Sequence, residues 1–205
     1  MKRLLFISLI LFCGCEEPIR VKVINDFNDS LSAYDSSLVN HFPKLEVKDQ
    51  LIYWGIRYPA ATYAENYNGI NLIIKFPKER IIEIISAANE NAIKIQPLFD
   101  SCSNVINYKE STHIDSLFKL HKCKDTINVF PISNFEFTIK QEELSKDFYK
   151  SAIVYLLDAK KGKFLEDEYL SKNGVGLPAS WKHGYSKGVM ISEKENIAIY
   201  WLEVW

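Results

Sequence analysis

The residues best equipped for chemistry lie near the C-terminus, in Gly174 to Gly188, GVGLPASWKHGYSKG. Four glycines surround Trp181, Lys182, His183, Tyr185, Ser186 and Lys187. Glycine backbone lets a ligand approach closely, the aromatic rings can stack, and histidine and lysine can donate hydrogen bonds. Trp181, His183, Tyr185 and Lys187 are the candidate binding residues. The plainer reading is that the glycines serve turns, Trp181 packs on the core and the lysines are solvated. The glycine spacing fits neither a phosphate-binding P-loop nor a dinucleotide fingerprint. A hydrolase would need His183 beside Ser180 or Ser186, yet no Gly-x-Ser-x-Gly elbow is present. Glu166, Asp167 and Glu168 are neighbours in sequence, a poor arrangement for two carboxylates facing each other across a cleft, and they lack the calcium-loop pattern. They read as a solvated helix start. No catalytic set and no cofactor follow from these residues.

Cys102 and Cys123 form an isolated pair that an oxidising compartment would most simply join as a disulfide. Closing a loop of about 20 residues would stabilise the fold by roughly 3 kcal/mol on the chain-entropy model. Two buried thiols are one alternative, and a metal site that also uses His113 and His121 is another. The zinc reading is the weaker, because structural zinc sites show two short-spaced ligand pairs and this series lacks the first. No metal is expected.

The compartment is read from Met1 to Cys15, MKRLLFISLILFCGC. Lys2 and Arg3 precede an apolar run from Leu4 to Phe12, less than half the length of about 20 residues that a bilayer span needs. The segment resembles the type II signal peptide of bacterial lipoproteins, with Gly14 as the small residue before a lipidated Cys15. That resemblance implies removal of residues 1–14, acyl chains on Cys15 and residence in the cell envelope. The acidic pair Glu16–Glu17 resembles the surface-export signal of Bacteroidetes lipoproteins, which implies outer-membrane attachment facing the periplasm or the exterior. Beyond the signal the chain resembles only uncharacterised small envelope lipoproteins of that group.

Losing Lys2 and Arg3 lowers the basic count from 25 to 23 against 26 acids, a net charge of about −3. So mild a balance, without basic blocks, argues against recognition of nucleic acid, and no nucleic-acid partner is expected. Residues 15–28 show no convincing periodicity and read as a tether. Residues 29–205 carry no linker and are long enough for one domain. Its expected class is α+β: a mainly antiparallel sheet with a C-terminal hairpin and three or four helices packed on it.

Leu31, Tyr34, Leu38, Val39 and Phe42 predict a short helix capped by Asp29 or Ser30, with His41 in its last turn. Gln50 to Tyr58 predicts a strand, Asn68–Gly69 a hairpin turn, and Pro77 to Asn89 a helix with an isoleucine stripe. Ala92 to Phe99 adds a short strand and Thr112 opens a second helix. Phe135, Phe137 and Ile139 alternate as in a one-sided strand. Gln141 to Lys150 reads as a helix and Ala152 to Leu157 as a buried strand. Gly188 to Ser192 and Asn196 to Trp205 flank Glu193–Lys194–Glu195 as a hairpin. The last strand is apolar on both sides, so it belongs in the middle of the sheet, with Glu203 near a watery end. Such an anchored, aromatic-rich domain is expected to bind a partner at the envelope: another protein, an outer-membrane complex or a toxin. The alternative is an envelope hydrolase using His183 with Ser180 or Ser186.

Overall fold

A computed structural model of the 205-residue chain describes residues 16–45, 49–57, 68–98, 104–106, 130–133, 144–171, 174–175 and 177–205. Two compact units divide it, residues 1–48 and 49–205.

In the first unit the expected tether is helical. Helix α1 spans Glu16–Leu31. Val23, Ile24, Phe27 and Leu31 recur at helical spacing; Phe27 is fully buried and meets Phe42 edge-on at 6.0 Å. The helix expected from Asp29 to Phe42 is accordingly corrected. α1 stops at Leu31, and a separate turn of helix, α2 (Ser36–Val39), begins where the Asp35 carboxylate accepts the Ser37 amide at 2.8 Å. His41 lies beyond it, not in its last turn.

The second unit is α+β and mainly antiparallel, as the sequence implies. Its strands are β1 (Gln50–Arg57), β2 (Asn68–Lys75), β3 (Lys94–Pro97), β6 (Ile153–Lys161), β7 (Gly184–Ser192) and β8 (Ile197–Val204), in the order β1-β2-β8-β7-β6-β3. β4 (Asn104–Val105) and β5 (Pro131–Ile132) form a separate parallel pair. Helix α3 (Lys78–Asn91) follows β2 and α4 (Lys146–Ser151) precedes β6; Ser145 caps α4 by accepting the Phe148 amide at 3.0 Å.

β7 and β8 form the expected C-terminal hairpin, with Asn196 at a φ of 56° in its turn. β8 pairs with β2 on its other side, and all eight of its residues are buried. One sheet face carries Ile73, Val154, Leu156, Met190, Ile199, Trp201 and Trp205 into the main core with Ile106, Ile132 and Trp181. The other carries Ile70, Leu72, Ile74, Tyr200 and Leu202, all buried. In α3, Ile81 and Ala88 are buried, whereas Ile82 is 50% exposed and falls off the stripe.

Asn68–Gly69 is not a turn. Both residues are buried within β2, Gly69 pairing with Arg57 on one side and Glu203 on the other. Gly69 is needed because a Cβ there would collide with the Glu203 carboxylate. Gly188 has a similar role in β7, where a Cβ would strike the Trp201 indole and the Tyr155 carbonyl oxygen. Neither obstacle is free to move, since Trp201 is fully buried. Gly188→Ala is therefore expected to cost about 2–3 kcal/mol by overpacking, read as a lowered urea midpoint with unchanged m-value.

The cysteines Cys15, Cys102 and Cys123, with His113 and His121, lie outside the described residues. So do the helix expected from Thr112 and the strand at Phe135–Ile139. Among the described residues no helix is long and apolar enough to cross a membrane.

Candidate functional site

The last third of the loop expected from Gly174 to Gly188 is strand: β7 already begins at Gly184. Strand alternation then sorts the candidate residues. Tyr185 and Lys187 point to one face, Gly184, Ser186 and Gly188 to the other. Trp181 belongs to the main core, 7% exposed, its carbonyl accepting the Trp205 indole N–H at 2.8 Å. Lys161 lies 5.1 Å from its ring centroid. His183 sits just before β7, half-buried. Of the four candidate binding residues, the fold thus brings together Tyr185 and Lys187, and sets Trp181 and His183 apart from them.

A register shift in β6 supplies their partners. Leu156 pairs with Gly188 but Asp158 pairs with Lys187, so Leu157 is an extra residue. Such a bulge flips every side chain beyond it to the opposite face. Without it Asp158 would enter the core; with it Ala159 takes that place, 8% exposed, and Asp158 and Lys160 join Tyr185 and Lys187. The Tyr185 hydroxyl donates to the Asp158 carboxylate, and Lys160 Nζ lies 3.6 Å from the same oxygen. Phe164 packs edge-on against Tyr185 at 4.6 Å. Lys187 is 7% exposed, while the Asp158 and Lys160 side chains are 29% and 63% exposed. One carboxylate thus faces two ammonium groups and a phenol, at a place where water reaches only its outer half.

Burial, then the bond to Asp158, holds the Tyr185 phenol well above its ordinary range. Burial lowers Lys187 below its usual 10.5; Lys160 adds to this and Asp158 opposes it. Burial likewise lowers His183, helped by Lys182 and Lys163, so its ring is neutral at pH 7. Tyr200 on the same sheet face is also raised, chiefly by burial.

These shifts set an alkaline limit. Unfolded tyrosine releases its proton near pH 10 while folded Tyr185 and Tyr200 keep theirs, so above that pH the unfolded state binds fewer protons and stability falls. The slope is up to about 1.4 kcal/mol per pH unit for each. Lys187 acts in the opposite sense: its folded form gives up a proton first, and its contribution rises with pH until 10.5. Denaturant melts at pH 8 to 11.5 should show a steep loss above 10, made shallower by Tyr200→Phe. An equal slope in the variant would refute the assignment.

The opposite sheet face holds a second polar group that the sequence misplaces. Glu203, expected at a watery strand end, is 1% exposed. Ser133 donates to its Oε1 at 2.7 Å. Ser186, its cross-strand neighbour, is fully buried; it donates to the Pro131 carbonyl at 2.7 Å and receives the Trp201 indole N–H at 3.4 Å. This set stitches residues 131–133 onto β7 and β8. No signal in the sequence marks the segment that covers Glu203.

Ser180 is exposed, and the buried His183 Nδ1 has no hydrogen-bond partner among the described residues. Glu166–Glu168 flanks a short 3-10 turn, Asp167–Tyr169, and is exposed as expected, with Asp167 accepting from Lys163 at 2.6 Å. Among the described residues no group of three or more His, Cys, Asp or Glu could hold a metal. Comparison with protein families, curated proteins and solved structures returns no match for this chain.

Proposed function

We propose that this chain is an envelope lipoprotein, held in the outer membrane through acylated Cys15, whose α+β unit binds an envelope partner without catalysing a reaction. The single observation that supports binding over hydrolysis is the state of Ser186. Its proton is committed to the Pro131 carbonyl and its oxygen to the Trp201 indole, in a fully buried position. A serine nucleophile needs its proton within reach of a base. The candidate contact is instead the outer rim of the Tyr185–Asp158–Lys187–Lys160 group, where Lys160 reaches water.

Palmitate labelling and detergent partitioning of Cys15→Ala test the anchor: label and membrane retention should both vanish, and unchanged partitioning would remove it. Crosslinked capture from intact cells tests the binding role. One reproducible partner is expected, its yield falling severalfold in Lys160→Ala, which removes an ammonium on a side chain that is 63% exposed and should cost the fold no more than about 1 kcal/mol. Recovery of bulk lipid and porins alone would count against binding. Turnover of an ester or amide substrate that is lost in His183→Ala would establish the hydrolase.

A further inference from the structure

We propose that β6 takes up an acidic, extended peptide of the envelope partner as an added strand along its open outer edge, an inference that rests on the binding role put forward above. β3 covers β6 only from Ile153 to Leu156, and at that end of the ladder the Ile93 amide donates to the Leu156 carbonyl at 2.8 Å. β6 itself continues to Lys161. On its inner side that extension pairs with β7, Asp158 opposite Lys187 and Lys161 opposite Gly184. On its outer side no strand lies beside it among the described residues.

The bulge at Leu157 decides which backbone groups face out. Backbone bonds alternate along an antiparallel pair. The Gly162 amide donates to the His183 carbonyl at 3.0 Å, so Lys160 and Asp158 bond inward to β7 as well. The N–H and C=O groups of Ala159 and Lys161 therefore point outward, and nothing among the described residues bonds to them. A second extended backbone presents donors and acceptors at the matching spacing.

The side chains choose its charge. Lys160 stands on the face of Tyr185 and Lys161 on the face of Trp181, both exposed, so an added strand meets a cation on either face. Asp158 lies 3.6 Å from Lys160 but on the opposite face from Lys161. Carboxylates on the incoming strand complete the charge. A second copy of this chain does not fit. Two-fold pairing about Ala159 would lay the other copy's Lys94, which lies opposite its Leu156, on the line that Gly162 already fills. Moving the axis to Lys160 or Lys161 sets that lysine against itself, and like charges directly opposite repel.

Amide exchange on the full-length chain tests the edge first. In the free protein Ala159 and Lys161 should exchange about tenfold faster than Asp158 and Lys160, whose amides bond to β7. Equal protection of all four overturns the open edge. The binding probe is a short peptide of alternating glutamate and valine at millimolar concentration, with its lysine–valine counterpart as control. The glutamate peptide should slow Ala159 and Lys161 severalfold, and the lysine peptide should slow neither. Outward amides that stay fast with the glutamate peptide overturn strand addition. In crosslinked capture from intact cells, Lys161→Pro deletes one outward N–H without touching the β7 ladder, whereas Lys161→Ala removes the same charge and keeps the N–H. Capture should fall severalfold further in the proline variant, whose slow Asp158 amide shows the sheet intact. Equal capture by the two overturns strand addition and leaves the binding role standing. Wild-type protein that captures no partner overturns the binding role, and this proposal with it.

Discussion

Ending the chain after Asn196 abolishes cooperative folding of the second unit. The nine residues removed are β8 and Trp205, and β8 is the strand on which β2 and β7 both pair along their full lengths. Its loss exposes two sheet edges at once and takes away Trp201 and Trp205, both fully buried. Truncating one buried tryptophan costs about 3–5 kcal/mol, and a whole domain is stable by about 5–15 kcal/mol. Two tryptophans together with Ile197, Ile199 and Leu202 exceed that margin. Circular dichroism and calorimetry should find no cooperative transition in the truncated chain. A sharp melt would show that β8 is peripheral.

What could be read in the sequence is what short-range pattern encodes. β8 alternates apolar side chains on both faces, so a central position follows from the pattern alone, and the polar turn at 193–195 fixes its hairpin partner. α3 announces itself through Pro77 and its isoleucines. The failures come where tertiary contact overrides a local signal. Asn68–Gly69 has the composition of a tight turn, yet the carboxylate lying over Gly69 makes glycine a matter of space and leaves the backbone extended. α1 was not legible, because its short stripe, Val23, Ile24, Phe27 and Leu31, is broken up by Asn25, Asp26, Asn28 and Asp29 and reads as an aperiodic tether.

The candidate site was half legible for the same reason. Tyr185 and Lys187 stand out as polar groups two residues apart, the spacing that puts them on one face of a strand. Asp158 does not stand out, because its side depends on whether Leu157 is counted into the ladder, and YLLDAK gives no local sign of a bulge. Glu203 is misread because its cover comes from Ser133, 70 residues away in sequence. Both errors concern charges that long-range packing makes affordable to bury. A third buried charge of this kind has its partner in view, and it carries the second large effect.

Arg80→Met should destabilise the second unit by about 3–5 kcal/mol, the usual consequence of removing one half of a buried ion pair. Nη1 of Arg80 lies 2.9 Å from each oxygen of Asp49, whose side chain is 2% exposed. The guanidinium also stacks 5.0 Å from the Phe76 ring centroid. Methionine keeps the aliphatic stem, so the loss reports the stranded carboxylate and not a cavity. Arg80→Lys should fall between the two, since it restores a charge but not the planar stacking on Phe76. Asp49→Asn in the methionine background removes the charge that was left behind and should recover part of the loss. A double-mutant cycle by urea melts would then return a coupling of roughly 1–3 kcal/mol. The pair joins the residue that leads into β1 to the first turn of α3, so that coupling measures how firmly the helix is held beside Tyr200, whose phenol both charges influence. A cycle that closes to zero would mean that Arg80 acts through its guanidinium on Phe76 and not through Asp49.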